Sequence, residues 1–408
     1  MSLPGLLSLL AWVLLVVSPT QTKLAGLLWV ILCLWGFALA FRHPPQNPTP
    51  TRQATLRWLA AASIMLASWL SMSLYWRDPC CKPSAEVSAG LRLWLGALAA
   101  YFWAKHWQPI PKWQSRINHG LAWACIASLL IAIVMDRGDL PSYPIPWSAA
   151  VAMVLTLLLP QALDSSPTAP QRQWWFVCCA CGLAAVLLSQ SRGAYLVIGW
   201  LIYLVVTSSH SVHVRVQPIK IAAGCALVAM AMGLTSALPS DPLRIREGWN
   251  DWITARHAES QNTSLGARLA LYELAVNTIA ESPWVGVGSH ERLSRIHTLG
   301  QTLPAEEASK LSHAREQGHV HNAYLHHAMD GGIVSLIGFL ASIGGLIYAA
   351  MAWRHNNPVA QRQMMGLAFV HASTSLSNVN LAHNYYVVML SLCVMLVVIQ
   401  ARAKGSRH

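Results

Sequence analysis

The chain has 408 residues, of which 54% are hydrophobic and 11% charged, with a formal net charge of +12 and 19 tryptophans. A soluble globular domain carries about 25% charged residues, so this balance excludes a disordered chain and a secreted disulfide scaffold, and it argues against a water-soluble enzyme. It points to a polytopic membrane protein whose basic excess sits in loops, and away from a nucleic-acid binder.

A hydrocarbon core about 30 Å thick takes roughly 20 apolar residues per helix. Runs near that length recur twelve times, at about 3–19, 24–41, 58–75, 90–104, 119–135, 148–163, 174–190, 194–208, 218–238, 331–353, 363–380 and 384–401. The first run has no Lys or Arg ahead of it and no small-x-small cleavage site, so it reads as a span and not as a signal peptide. The expected fold is all-α: a polytopic membrane protein with about twelve transmembrane helices and one large, mostly helical outward loop. Its parts are residues 1–238 with nine spans, 239–330 as the loop module, and 331–408 with three spans and a short tail.

Orientation follows from basic residues in short loops. One set holds Arg42, Arg52, Arg57, Lys105, Lys112, Arg116, Arg172, Arg215, Lys220, Arg354, Arg362, Arg402, Lys404 and Arg407, fourteen in all. The opposite set holds five: Lys23, Arg77, Lys82, Arg137 and Arg192. Both termini are therefore expected in the cytoplasm. The long segment from Asp241 to Asp330 then faces outward, and it carries eleven of the sixteen acids and eight of the seventeen histidines. Structureless loops of that length are rare, so it reads as a folded module holding the site. Within it, Ser264 is a candidate helix cap. Leu265, Leu269, Tyr272, Val276 and Ile279 recur at steps of four and three as an apolar face, and Pro283 with Gly286-Val287-Gly288 ends the helix.

Most of the nine cysteines fall inside spans, where a small hydrophobe is the expected role, Cys178-Cys179-x-Cys181 included. Cys80-Cys81 lies in an outward loop and supports no assignment. The Pro-rich stretch from His43 to Pro50 reads as a cytoplasmic loop. The chain has no P-loop, no H-E-x-x-H and no evident long repeat.

Three polar interruptions remain. Ser189-Gln190-Ser191-Arg192-Gly193-Ala194-Tyr195 separates two apolar runs, so Arg192 sits at an outer membrane mouth. An interfacial arginine there is either a functional group or a snorkelling anchor, and Gly193 would let a large ligand approach the backbone. Arg268 lies on the loop helix with Tyr272 one turn on, where an ordinary solvated charge is the plainer reading. Gly318-His319-Val320-His321-Asn322-Ala323-Tyr324-Leu325-His326-His327 ends the loop. Its histidines suit a metal site, a general base or a structural hydrogen-bond cluster. Taken together, two outward arginines fit the oxygens of a lipid-linked diphosphate, and a nearby imidazole fits deprotonation of a hydroxyl acceptor.

These residues resemble the bacterial O-antigen ligase and O-antigen polymerase superfamily of membrane glycosyltransferases. Ser191-Arg192-Gly193-Ala194 is similar to its S-R-G-A/T segment. Arg268, a helix and Ser282-Pro283-Trp284-Val285-Gly286-Val287-Gly288 resemble its arginine, helix and N-P-x-x-G-x-G segment, with Ser282 where Asn or Lys is common. His321-Asn322-Ala323-Tyr324 with Gly332 downstream resembles its H-N/S-x-aromatic segment, at the spacing associated with ligases. The resemblance is strongest over about 185–340.

It implies a donor glycan on undecaprenyl diphosphate, a lipid A-core sugar hydroxyl as acceptor, membrane lipids as surroundings and no nucleic acid. His321 would be the general base, and Arg192 and Arg268 would bind the diphosphate. Ser191, Gly193, Tyr272, His319, Asn322 and Tyr324 are candidate supports. The family is metal-independent and inverting, so no metal or cofactor is expected. The location implied is the inner membrane with the site facing the periplasm. Rival readings are an O-antigen polymerase, or a transporter or flippase without catalysis. A protein O-oligosaccharyltransferase would carry a further soluble C-terminal region, whereas this chain stops a few residues after its last span. Transporters place ionisable groups near mid-membrane. Here only Arg92, His371 and His383 hint at that, and both histidines are expected to be packed helix contacts.

Overall fold

The structure is a computed structural model that describes residues 3–42, 49–77, 85–106, 112–164, 168–208, 241, 243–256 and 263–405. Every regular element among them is helical. In chain order these are α1 (Leu3–Val17), α2 (Thr22–Arg42), α3 (Pro50–Tyr75), α4 (Ala85–His106), α5 (Trp113–Val134), α6 (Pro144–Ala162), α7 (Ala169–Leu188) and α8 (Val197–Ser208). After them come α9 (Ile245–Arg256), α10 (Ser264–Glu281), α11 (Gly288–His297), α12 (Ala305–Ser309), α13 (Ser312–Arg315), α14 (Ala323–Ala350), α15 (Pro358–Thr374) and α16 (Asn384–Gly405).

Eight helices among the described residues are long and apolar enough to cross a membrane, and two shorter apolar stretches, Gly5–Val17 and Arg192–Thr207, accompany them. The chain is thus an all-α polytopic membrane protein. Eleven of the expected runs fall on helices, while the run at 218–238, Cys80-Cys81 and most of the Pro-rich stretch lie outside the described residues. The run at 363–380 is overdrawn. Its helix stops at Thr374, where the polar Ser373-Thr374-Ser375 sequence turns the chain.

Why the bundle holds together is clearest at α6 and α16, each with 94% of its apolar window buried. A helix apolar all round must be enclosed by others, and these two form the centre. Buried amides on α5, α15 and α16 are paired across helices around them. Gln363 donates to the Leu157 carbonyl at 2.7 Å and to Gln400 Oε1 at 3.0 Å, and Gln400 donates to Asn118 Oδ1 at 2.7 Å. In hydrocarbon no water is at hand to satisfy such groups, so they act as interhelical ties.

α14 is the element that links span and loop. It kinks at Gly331 (φ −132°, ψ 23°) and Gly332 (φ 57°, ψ −153°). The kink frees backbone groups, and the segment after α10 takes them up: Ile333 N–H donates to the Pro283 carbonyl at 2.9 Å, and Val287 N–H donates to the Met329 carbonyl at 2.9 Å. The indole of Trp76, which caps the end of α3, donates to the Val285 carbonyl at 2.8 Å. A side chain on Gly332 would collide with the Trp284 backbone, and one on Gly286 (φ 62°) would lie 2.5 Å from the Asp330 carbonyl carbon. The spaced glycines therefore fit one device: a loop segment pressed backbone-to-backbone on a broken helix.

The loop helix α10 corrects the expected pattern. Its cap is Thr263, not Ser264: the Thr263 hydroxyl accepts from Gly266 N–H at 3.0 Å. Its buried face is Gly266, Ala267, Ala270, Leu271, Ala275 and Thr278, while Leu269 and Val276 are exposed. Small residues win the inward face because α10 packs close on α9 and α14, where larger side chains have no room.

Candidate active site

Arg192 stands in a single helical turn, Arg192–Ala194, between α7 and α8. Ser191 is buried, its N–H donating to Ser189 Oγ at 3.3 Å. The space beside Gly193 is filled by the Ser377 side chain, so this glycine admits the α15–α16 connection and not a ligand. Arg192 reaches onto α9, with Nη2 3.6 Å from Asp251 Oδ2 and Nη1 3.4 Å from the Arg244 carbonyl. Arg244 is itself paired with Glu247. α9 is amphipathic in an unusual sense. Gly248 and Asp251 face Arg192, while Trp249, Trp252 and Ile253 are exposed.

A cavity of about 650 Å³ opens beside this cluster. Its wall includes Arg268 on α10, His319 and His321 from the approach to α14, and Asn378 and His383 from the α15–α16 connection. Arg137 and Tyr143, from the connection between α5 and α6, complete it. Arg268 and His321 thus share one cavity. Arg192 is next to it, on the α9 side, and is not part of its wall.

His321 is held from several directions. Its φ of 54° is left-handed, a conformation uncommon outside glycine and worth attention where it is kept. Tyr272 OH donates to the His321 carbonyl at 3.2 Å and to the Leu376 carbonyl at 3.4 Å. Asn322 caps α14, its Oδ1 accepting from Tyr324 N–H at 3.0 Å and Leu325 N–H at 3.2 Å. Ala323 N–H donates to the Ser375 carbonyl at 2.8 Å and Tyr324 OH to the Ala372 carbonyl at 3.0 Å. Tyr272 therefore bonds the histidine's own backbone, while Asn322 bonds the first turn of α14 and Tyr324 ties that turn to α15.

The imidazole is tuned as well. His321 Nε2 lies 2.8 Å from Gln317 Oε1, and Gln317 Nε2 donates to the His313 carbonyl at 3.0 Å. That second bond orients the amide, so the group facing His321 is an acceptor and Nε2 carries the proton. The lone pair falls to Nδ1, which is buried without a hydrogen-bond partner among the described residues. Burial pulls the His321 pKa down to about 4. The Arg268 charge adds to the fall, and the Asn378 side chain partly opposes it. The ring is neutral at pH 7, and the unpartnered Nδ1 is itself enclosed in the wall of the cavity that His321 lines. His319 lies 4.3 Å away, ring centre to ring centre, and is also driven toward the neutral form by burial and by His321.

The other two histidines of the run turn elsewhere. His327 stacks on Trp69 and Phe339 with ring centres 4.9 Å apart in both pairs. His326 Nε2 lies 3.1 Å from Glu86 Oε1 and 3.5 Å from Asp330 Oδ2. Glu86, His326 and Asp330 bring ligand-type atoms within 4.8 Å of one another. A cation already sits there: Arg292 Nε is 2.5 Å from Asp330 Oδ1, and its Nη1 donates to the Gly318 carbonyl at 2.6 Å. This cluster ties α4, α11 and α14 together behind the cavity.

Arg137, Tyr143, Gln317, Asn378 and His383 were not picked out as site residues by the sequence reading. His383 lines the cavity, contrary to its expected packing role, whereas His371 does pack, bonded to Ser342 and Tyr386. A visible signal for Asn378 and His383 is the polar string Ser373 to Asn384; the expected run 363–380 covers Asn378, while His383 lies between the last two runs. Gln317 stands four residues before His321, but only the turn at Gly318 brings it back onto the ring.

No curated protein matches the chain. Residues 177–340 match the family described as O-antigen ligase. The match runs from α7 through the arginine turn and the loop helices to the first half of α14, the stretch that contributes Arg192, Arg268 and His321. Over this stretch, less than half of the chain, the protein is similar to the O-antigen ligases, which supports a likeness to the superfamily of O-antigen ligases and O-antigen polymerases.

Proposed function

We propose that the chain is an O-antigen ligase, which moves O-antigen polysaccharide from undecaprenyl diphosphate to a sugar hydroxyl of lipid A-core. It works on the periplasmic face of the inner membrane, with both termini in the cytoplasm, and so completes lipopolysaccharide. The observation that carries the reading is His321: a neutral imidazole with an unoccupied Nδ1, sharing a cavity with Arg268.

The chemistry is a single displacement. The acceptor hydroxyl oxygen attacks the anomeric carbon while its proton passes to His321 Nδ1. The bond from that carbon to the phosphate oxygen breaks, and undecaprenyl diphosphate leaves from the opposite face, which inverts the centre. Arg268, with Arg192 at the neighbouring mouth, binds the diphosphate and stabilises the charge it gains on leaving. A charge-assisted contact of this kind contributes about 1.5–3 kcal/mol. Asn378, facing the ring, favours the imidazolium that results. The proton acceptor and the anion binders are side chains of this chain, so transfer is expected to persist in excess chelator.

The test is reconstitution. Purified protein is given a glycan on undecaprenyl diphosphate together with either lipid A-core or a second lipid-linked glycan. Growth of lipid A-core supports the ligase. Growth of the lipid-linked glycan alone would make the protein a polymerase, and growth of neither, with active donor, would sink the assignment.

A further inference from the structure

Arg137 occupies the turn Arg137–Asp139 between α5 and α6, far in sequence from the segments that carry the family resemblance and outside the matched residues. Its side chain lines the same 650 Å³ cavity as Arg268 and His321. Four guanidiniums gather in this region, and they divide into two kinds. Arg192 and Arg244 have carboxylate partners, Asp251 and Glu247. Arg137 and Arg268 form no ion pair with the described residues, and Arg137 Nε is buried without an acceptor.

Both guanidiniums are half-buried, and an enclosed Nε without an acceptor is costly; a second unpaired guanidinium lining the same cavity adds to the cost. Burial, followed by the repulsion of Arg244, Arg192 and Arg268, holds Arg137 below the usual arginine range, with Glu247 offsetting part of this. An anion entering the cavity would relieve both residues at once. A diphosphate suits them particularly, because it offers two charged groups in tandem and each guanidinium presents a planar fork.

We propose that Arg137 is a phosphate-binding residue of the donor site, gripping one phosphate of the lipid diphosphate while Arg268 grips the other. The proposal rests on the reading of the donor given above. It assigns the cavity's second cationic contact to a residue outside the familiar motifs, with Arg192, paired with Asp251, adding its charge from the α9 side. When the bond to the sugar breaks, the negative charge gained by the leaving diphosphate falls between Arg137 and Arg268.

The experiment measures binding of glycan-free undecaprenyl diphosphate to the full chain in detergent. It compares the parent protein with Arg137→Ala, Arg137→Lys and the remote control Arg354→Ala, and measures transfer in parallel. Arg137→Ala is expected to weaken binding at least about tenfold, the loss of one charge-assisted contact. Arg137→Lys should recover only part of this, because it keeps the charge and loses the fork, and Arg354→Ala should bind as the parent does. Unchanged binding in Arg137→Ala overturns the proposal. If transfer still falls because the acceptor KM rises, Arg137 serves an anionic group of the acceptor instead. If Arg137→Ala elutes as an aggregate, Arg137→Lys and Arg137→Gln decide, and parent-like affinity in both overturns it. A parent protein that fails to bind the diphosphate defeats the donor reading itself, a result distinct from failure of Arg137 alone.

Discussion

Gln317 holds His321 through a 2.8 Å contact between Oε1 and Nε2, and a bond of 3.0 Å from the Gln317 amide nitrogen to the His313 carbonyl keeps that oxygen in place. The pair fixes which imidazole nitrogen carries the proton. Replacing Gln317 with Leu should leave the fold intact and lower the rate by about five- to tenfold, the value of one ordinary hydrogen bond. Replacing it with Glu should have a different signature. A carboxylate against the ring favours the imidazolium, so the acid limb of the rate profile should move toward neutral pH. Rate profiles of the two variants would separate orientation from charge, and identical profiles for Glu and Gln would remove Gln317 from the tuning.

His321→Ala is expected to abolish transfer while the protein still inserts and purifies as the parent does. The base form of His321 is the neutral one, and burial has lowered its pKa to about 4. Protonation on acidification therefore removes the base only well below neutrality. The rate should be flat between about pH 6 and 8, with loss approaching tenfold per unit below about pH 4. A half-loss centred near the ordinary histidine value of 6.5 would assign the base elsewhere.

Arg292 and Asp330 form a buried pair whose side chains are 7% and 10% exposed. Arg292→Ala strands the Asp330 carboxylate, a loss of about 3–5 kcal/mol when one partner of a buried pair is removed. It also releases the Gly318 carbonyl, one residue from His319. Thermal unfolding in detergent should show a large drop for Arg292→Ala, and the double variant Arg292→Ala with Asp330→Asn should recover part of it. Additive losses would mean that the two residues do not act as a pair.

Gly332→Ala should loosen the loop from the bundle. Its backbone (φ 57°, ψ −153°) is close to glycine-only territory, costing on the order of 1–3 kcal/mol for other residues, and the added methyl meets the Trp284 backbone. Limited proteolysis between α10 and α11 should accelerate, with little change in cleavage elsewhere. A cleavage pattern like the parent's would show that the backbone bonds at Pro283 and Val287 survive the substitution.

The spans and the loop were legible because apolar length is a property of consecutive residues, and α6 and α16 needed nothing more. Arg268 and His321 were legible as motif positions. Arg137 was visible only as one basic residue in a short loop, since its meaning depends on the α5–α6 connection and α10 lining one cavity. Gln317 depended on a turn that no period encodes. The inward face of α10 was misread for a related reason. The large residues Leu269 and Val276 follow the helical step, yet close approach to α9 and α14 selects the small ones. Asn322, Tyr324 and Tyr272 were legible as positions, while their use, bonding the backbone around His321, emerged only from three-dimensional neighbours.

The break at Gly331-Gly332 makes α14 two rods on one joint. The outer rod, with His321 just ahead of its cap, is bolted to the loop through Met329 and Asp330 and to the bundle through His326 and Glu86. The inner rod lies against α3 and continues into the bilayer. Ile333 on the inner rod and Met329 on the outer rod are bonded to the same segment after α10, so that segment splints the joint and holds the two rods at one fixed angle.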